Sequence, residues 1–278
     1  MNSDNLKGVL QQFVSRPLPR CRGRELELPL GTGKVIGLAG VRRSGKTFLF
    51  FHTIQRLLAE EALRPLILGE YASLMLYRDV VERYGVRNEA LMREMLRFAF
   101  RNTASLLNVS KLHRDFASLG FSVSKNTLHE YLGYMEDSFL IFLLPKQERS
   151  LRKQAHNPQK MHVMDPGLVA AFQGNPDRDV GHKLETAVFL HLRRRHRELF
   201  YHANGGEVNL CNEDGTAFWN SCWSLSDPAT VAREQAAMTL GNSRAKNATG
   251  QLLYHECAPA LRTALPSAKP AWRWLLEP

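Results

Sequence analysis

The sequence predicts an α/β protein in three parts, and three observations support this fold class. Near the N-terminus, an apolar run, a glycine-rich loop and an amphipathic helix follow one another over residues 35–58. Residues 103–144 have the order helix, short turn, helix and strand that is typical of a helix-turn-helix. Residues 181–255 begin with a strong helix and continue with short strands, interrupted by another helix.

The glycine-rich loop fits the phosphate-binding P-loop pattern G-x-x-x-x-G-K-T, placed between a predicted strand and a predicted helix. Gly40 and Gly45 allow the backbone to curl so that successive N–H groups point at phosphates. Lys46 would reach the β- and γ-phosphates of ATP, and the Thr47 hydroxyl would coordinate Mg²⁺. The residues predicted to bind the nucleotide are Gly40, Val41, Arg42, Arg43, Ser44, Gly45, Lys46 and Thr47. The alternative is a chance match in a glycine-containing turn.

The composition is that of a globular protein, since 44% of the 278 residues are hydrophobic and 23% are charged. The net charge of +10 favours anionic partners, whether nucleotide, nucleic acid or acidic lipid. Four scattered cysteines without a C-x-x-C indicate neither a zinc site nor a disulfide scaffold. Because no apolar run could span a bilayer and residues 1–7 lack the apolar core of a signal peptide, we expect a cytoplasmic protein without a membrane partner.

The middle of the chain has the pattern of a winged helix. One helix is expected at residues 109–119, with Ser110 as its N-cap, and a second at residues 125–136, in the position of a recognition helix. An apolar strand is expected at residues 139–144. The candidate DNA contacts are polar or basic and lie on both helices: Lys111, Arg114, Lys125, Asn126, Thr127 and His129.

A packing or hinge module is the alternative use of this winged helix. Three acidic residues reduce the positive field of the second helix: Glu130, Glu136 and Asp137. Upstream, residues 68–101 are expected to be helical, with Asn88 capping the second of two helices. Downstream, the basic segment 147–160 is expected to be a solvated loop.

The C-terminal part alternates helix and strand. A helix is expected at residues 181–197, and a second starts at Asp227. The expected strands are residues 199–202, 207–211, 218–223 and 251–255. Residues 240–250 are expected to be a polar loop, and the amphipathic end of the chain, residues 270–276, is expected to dock on this part.

The order of these parts resembles the AAA-type P-loop ATPases of archaea and bacteria that carry a winged helix and a restriction-endonuclease-like C-terminal region. Five motifs carry the resemblance: Arg24-Glu-Leu-Glu-Leu, Gly40-Val-Arg-Arg-Ser-Gly-Lys-Thr47, Leu76-Tyr-Arg-Asp-Val-Val-Glu-Arg-Tyr84, Leu184-Glu with Gly206-Glu-Val-Asn209, and the terminal Pro-Ala-Trp-Arg-Trp-Leu-Leu. The resemblance covers nearly the whole chain. It implies an ATPase part over residues 1–64, a helical and winged-helix region over residues 65–160, and an α/β endonuclease-like domain over residues 161–278.

The sequence departs from this family in its ATPase part. There the P-loop helix leads into an acidic Walker B strand, a sensor strand and an arginine-bearing lid. Here the chain passes almost directly from residues 58–61 to residues 68–77, so that about a domain's worth of sequence is absent, with the junction near residues 62–65. We therefore expect only a P-loop strand-loop-helix remnant.

The second departure lies in the endonuclease-like part. The resemblance implies a metal-binding Asp, followed by an acid and a Lys on the adjoining strand. This sequence has Asn209 and Asn220-Ser-Cys222 at the matching positions, while Glu185 and Glu207 remain. Because a neutral amide is a weak Mg²⁺ ligand and no lysine follows, we expect no nuclease activity.

Functions of two different classes remain. The first is binding of ATP and Mg²⁺ at the P-loop, with hydrolysis not expected because the Walker B acid and sensor segments are absent. The second is a winged-helix DNA-binding or interaction module that carries a non-functional P-loop remnant. A decayed gene product without a maintained function is a third interpretation. The sequence predicts neither the oligomeric state nor the biological process.

Overall fold

The computed structural model of the protein describes residues 64–148, 150–173, 179–245, 247–258 and 267–277. In these ranges the chain is mixed α/β, with two β-sheets and nine α-helices, which confirms the α/β class and no finer assignment. The chain divides into two compact units, Met1–Ile67 and Leu68–Pro278. Both sheets belong to the second unit. No helix in the described ranges is long and apolar enough to cross a membrane. The predicted strand, loop and helix of residues 35–58 lie outside these ranges.

The described chain opens with helices. They are α1 (Arg64–Met75), a π-helical segment (Leu76–Glu82) and α2 (Glu89–Arg101). The side chain of Asn88 accepts a hydrogen bond from the backbone N–H of Leu91 at 3.0 Å, which confirms the predicted cap. Apolar residues spaced at three and four along α2 are buried: Leu91, Met92, Met95, Leu96, Ala99 and Phe100.

Two helices and a strand follow a short strand, and they lie where the sequence predicted two helices and an apolar strand. The elements are β1 (Ser105–Leu106), α3 (Val109–Ser118), α4 (Lys125–Asp137) and β2 (Ile141–Leu144). The predicted Ser110 cap is wrong. Asn108 caps α3, because it has an extended backbone and its side chain accepts a hydrogen bond from the Lys111 N–H at 2.9 Å. Ser124 caps α4 in the same way, accepting from the Thr127 N–H at 3.1 Å.

Strand β3 (Lys160–Val163) completes a three-stranded antiparallel sheet in the order β1-β3-β2. The segment between β2 and β3 contains the short helix α5 (Leu151–His156). From α2 to β3 the chain therefore runs helix, strand, helix, helix, strand, helix, strand. The prediction of a solvated loop over residues 147–160 is wrong in two places, because residues 151–156 are helical and Lys160 begins β3 and is buried.

The C-terminal part is a five-stranded sheet with helices packed on it. The helices α6 (Pro166–Gln173) and α7 (Val180–Arg193) precede the sheet. Its strands are β4 (Leu199–Ala203), β5 (Glu207–Asn212), β6 (Ala217–Leu225), β7 (Thr249–Cys257) and β8 (Ala268–Pro270). They lie in chain order; β4, β5 and β6 pair antiparallel, whereas β7 is parallel to both β6 and β8.

Helix α8 (Pro228–Arg244) makes the crossover between the parallel strands β6 and β7. Asp227 caps it, accepting from the Thr230 N–H at 2.9 Å. The prediction of a polar loop from residue 240 is wrong, because Gly241 is buried and α8 continues to Arg244. The short helix α9 (Ala271–Trp274) buries Ala271 and Trp274, which confirms that the end of the chain docks on this part.

Strand β3 belongs to two cores at once. Met161 and Val163 point to one face of the strand and join the apolar cluster formed with α2, α3 and α4. Lys160 and His162 point to the other face, where they contact α7. The boundary expected between residues 160 and 161 thus falls inside this strand.

Candidate functional site

The predicted site residues fall into two groups. The nucleotide site, residues 40–47, lies outside the described residues. The candidate DNA contacts all lie within them, on α3 and on the first half of α4. Lys111, Arg114, Lys125, Asn126 and His129 are exposed, whereas Thr127 is half-buried.

A side-chain hydrogen bond joins the starts of α3 and α4. Lys125, the first residue of α4, donates from Nζ to the Ser110 hydroxyl on α3 at 3.0 Å. The hydroxyl of Thr127 lies 3.0 Å from that of Ser124, so the Thr127 side chain is engaged in the cap. Among the described residues, neither Lys111 nor Arg114 nor Lys125 is in an ion pair with an acid. Their charges are therefore available to an anionic ligand.

The acidic residues of α4 lie further along the helix. Glu130 accepts a hydrogen bond from the Tyr134 hydroxyl at 2.5 Å, one turn later. Glu136 is half-buried and accepts from the backbone N–H of Leu143 at 3.3 Å. Burial raises the pKa of Glu136, and the Leu143 hydrogen bond opposes this. The N-terminal end of α4 thus carries the basic and amide side chains, Lys125 and Asn126, and the acids lie beyond it.

A second candidate site is a cavity of about 650 Å³ between α7, the ends of β5 and β6, and α8. Its walls carry Glu185, Glu207, Asn209, Asn220, Arg233 and Glu234. These include every position at which the endonuclease-like resemblance places a carboxylate or its replacement. The fold therefore brings together residues that lie up to 49 positions apart in the sequence.

A buried lysine forms ion pairs with two of the carboxylates. The Nζ of Lys160 lies 2.8 Å from Glu185 Oε1 and 2.5 Å from Glu207 Oε1. Burial by itself lowers the pKa of Lys160, but the two carboxylates outweigh it and the pKa is raised. Burial also raises the pKa of Glu185, and the ammonium opposes this. The 2.8 Å contact favours the charged pair, because a neutral Glu185 would leave the buried ammonium with one carboxylate fewer.

The two asparagines at the matching positions bind each other's strands. Asn220 Oδ1 accepts from the Asn209 N–H at 3.1 Å, and Asn209 Oδ1 accepts from the Ser221 N–H at 2.9 Å. Asn220 Nδ2 donates to Glu234 Oε2 at 3.2 Å. Arg233 donates to the other oxygen of Glu234 at 3.0 Å. The amide oxygens of both asparagines are therefore engaged with the backbone of the neighbouring strand.

These residues do not fit a Mg²⁺ site. Within the described residues, no three His, Cys, Asp or Glu side chains are grouped so that they could hold a metal ion. Glu185 and Glu207 share the ammonium of Lys160, and Asn209 and Asn220 use their oxygens for backbone hydrogen bonds. Mg²⁺ requires several oxygen ligands in near-octahedral geometry. Glu185 and Glu207, which the sequence analysis named as the remaining acids, both line the cavity, and Lys160 was not predicted.

The signal for Lys160 was present in the sequence as an alternation. Lys160 and His162 alternate with Met161 and Val163, the pattern of a strand with one apolar and one polar face. Such a pattern predicts a solvent-facing polar side. All four residues are buried, because α7 covers the polar face, and only the tertiary contact shows this.

Comparison with known proteins gives relatives of unknown function. Residues 53–179 match the model of a domain of unknown function, DUF8612, which includes the helix-turn-helix. The uncharacterized protein MJ1544 of Methanocaldococcus jannaschii is 33% identical over 152 residues, covering 52% of this chain and 33% of that protein. An uncharacterized protein of Haemophilus influenzae is 25% identical over 138 residues, covering 50% and 34%. The chain thus spans about a third of the length of these curated relatives. No solved structure matches it.

Proposed function

We propose that this chain binds duplex DNA through a winged helix made of α2 to β3, without cleaving it. The observation that carries the proposal is the position of three uncompensated cations. Lys111, Arg114 and Lys125 lie on α3 and at the start of α4, and the three antiparallel strands β1, β2 and β3 flank these helices in the chain, with the short helix α5 inserted between β2 and β3. In helix-turn-helix proteins this end of the second helix enters the major groove, and the first helix crosses the backbone.

The charge distribution along α4 supports the proposal. Its first two residues, Lys125 and Asn126, are exposed, and Glu136 is bound to the backbone of β2. Glu130 is held by Tyr134 on the following turn. The acids therefore lie away from the helix start, and the net charge of +10 adds a general attraction to phosphates.

Binding without cleavage is the form that the cavity favours. An endonuclease needs a divalent cation held by carboxylates beside a base that activates water. Here the carboxylates of Glu185, Glu207 and Glu234 each face a cation of the chain, either Lys160 or Arg233. The proposal therefore assigns no catalytic residue.

The test is the salt dependence of binding to a random duplex, followed by fluorescence anisotropy. With three phosphate contacts, log K should fall with log salt at a slope of about −2.7, and each of Lys111→Ala, Arg114→Ala and Lys125→Ala should reduce that slope by about 0.9. Arg273→Ala is the matched control, since Arg273 is an exposed arginine on α9, in the C-terminal part. A slope near zero in the wild type, or equal effects of all four variants, would refute the proposal.

Nucleotide binding at residues 40–47 is the second candidate function. The observation that favours it is the complete P-loop pattern between a predicted strand and a predicted helix. Lys46 would bind the β- and γ-phosphates of ATP, and Thr47 would reach Mg²⁺. Hydrolysis is not included, because the sequence lacks an acid at the end of a strand to hold Mg²⁺.

Equilibrium dialysis with labelled ATP tests this candidate. The wild type should retain ATP, and Lys46→Ala should lose it. If the wild type retains no label at about 1 mM ATP, which is the upper end of the usual range of enzyme KM values, nucleotide binding at the P-loop is excluded. Limited proteolysis with and without Mg-ATP, as a separate measurement, should show protection of the N-terminal 63 residues only when the nucleotide binds.

A further inference from the structure

We propose that the ammonium of Lys160 occupies the cation position of the cavity, and that Glu185 and Glu207 become a divalent-metal site when this ammonium is removed. The inference is independent of DNA and nucleotide binding. It concerns the site at which the sequence analysis named two acids, Glu185 and Glu207, and no cation of the chain. On this proposal, the wild-type chain excludes Mg²⁺ and Mn²⁺ because the ammonium of Lys160 already lies between the two carboxylates.

The distances place one cation between the two carboxylates. Glu185 Oε1 and Glu207 Oε1 lie 2.8 and 2.5 Å from the same nitrogen. A divalent ion binds carboxylate oxygens at about 2.0–2.6 Å, so a single ion in the place of Nζ could contact both. The two acids come from different elements, α7 and β5, and the lysine comes from a third, β3.

The surroundings make a cation necessary at this point. Glu185 is buried, at 7% exposure, and so is Lys160, at 4%. The ring of Tyr201 faces the ammonium with its centroid 5.7 Å away, and its hydroxyl donates to the Pro158 carbonyl at 2.5 Å. Removing the ammonium alone would leave a buried carboxylate without a partner, which is strongly unfavourable. Either a proton on Glu185 or a divalent ion between the two carboxylates would remove this penalty, and the proposal is that the divalent ion binds there.

Water would complete the coordination in the variant. The cavity of about 650 Å³ has room for several waters beside Glu185. Two carboxylates and waters form an all-oxygen set, which suits Mn²⁺ and Mg²⁺.

The experiment uses the whole 278-residue chain without nucleotide. It measures Mn²⁺ binding as the loss of the electron paramagnetic resonance signal of the free ion. All variants carry Thr47→Ala, so that the predicted P-loop contributes no metal site. Lys160→Met, which removes the terminal ammonium and keeps an unbranched side chain up to the Cε position, should bind one Mn²⁺ at least tenfold more tightly than the parent. Lys160→Arg is the matched control, because it keeps a cation and should bind none. Adding Glu185→Gln to Lys160→Met should abolish the new site.

Two results would overturn the proposal. One is a Mn²⁺ site in the parent chain that disappears in Glu207→Gln, since the ammonium would then not exclude the metal. The other is a folded Lys160→Met that binds no Mn²⁺. If Lys160→Met is unfolded without metal, circular dichroism with and without Mn²⁺ decides. Refolding with Mn²⁺ supports the proposal, and failure to refold with it contradicts the replacement of ammonium by metal.

Discussion

Gly241→Ala should destabilise the C-terminal part, because the site on α8 has no room for a methyl group. A Cβ added at Gly241 would lie closer than 3.0 Å to three ring atoms of Phe218 on β6. The ring cannot swing away, since a Cβ at Gly250 on β7 would also lie closer than 3.0 Å to three of its atoms. Phe218 is thus held between the helix and the neighbouring strand, and only glycine allows this approach.

The size of the effect is the difference of two opposing contributions. Inserting a methyl group into a packed core costs about 1–3 kcal/mol, and the ring, at 1% exposure, has little room to relax. Alanine is a better helix former than glycine and returns about 1 kcal/mol. Because both sides of the ring are restricted, we expect a cost near the upper end of the range of about 1–3 kcal/mol. The net loss in the free energy of unfolding is then about 2 kcal/mol.

Gly133→Ala is the matched control for this change. Gly133 lies inside α4, and an added Cβ would have no neighbour within 4 Å apart from its own helix backbone. There the helix propensity acts alone, and the free energy of unfolding should rise by about 0.5–1 kcal/mol. The same substitution should therefore have opposite signs in α8 and in α4.

Urea unfolding, followed by tryptophan fluorescence, measures the free energy of unfolding of both variants. The slope of this free energy against urea concentration should equal that of the wild type. A double-mutant cycle with Phe218→Leu isolates the contact, because the smaller side chain frees the space above Gly241. In that background Gly241→Ala should cost less than about 0.5 kcal/mol, a coupling of about 1.5 kcal/mol. If Gly241→Ala stabilises the protein as much as Gly133→Ala does, or if the cycle shows no coupling, the reasoning is wrong.

Three further changes test other parts of the fold. Asn88→Ala removes the cap that accepts from the Leu91 N–H and should cost about 1 kcal/mol in urea unfolding, an expectation that an unchanged midpoint would contradict. Burial holds the pKa of His162 well below 6.5, so the neutral form stabilises the fold above pH 6.5 and this contribution is lost as the pH falls below it. Between pH 6 and 5 the wild type should lose about 1 kcal/mol more than His162→Gln, and parallel pH profiles would refute this. Trp274→Ala, at a buried position, should cost about 3–5 kcal/mol, whereas the same change at the exposed Trp272 should cost less than about 0.5 kcal/mol.

Local patterns predicted most of the elements in the described part of the chain. The helices of the helix-turn-helix and the strands of the C-terminal sheet follow from periodicity, which is a short-range property. The cap of α2 was found because Asn88 directly precedes an apolar repeat. Ser110 was predicted to cap α3, whereas Asn108 is the cap. Both residue types cap helices, and the outcome depends on which of them has the extended backbone.

Long-range packing decided the positions that the sequence did not predict. Helix α8 extends through Gly241 because the glycine fits against Phe218, 23 residues earlier in the chain, although the local sequence is polar. The candidate DNA contacts were predicted as a group because they are close in the sequence. The partners in the cavity come from β3, α7, β5, β6 and α8, and no local pattern links them.

Strand β3 has a consequence for how the protein unfolds. Its two faces contribute to different cores, Met161 and Val163 to one and His162 to the stack on Phe189 of α7, with ring centroids 4.3 Å apart. Loss of either core would leave one face of this central strand exposed, and so would weaken the other core. Residues 68–277 are therefore expected to unfold in a single cooperative transition, and a cut within this strand should leave neither half able to fold alone.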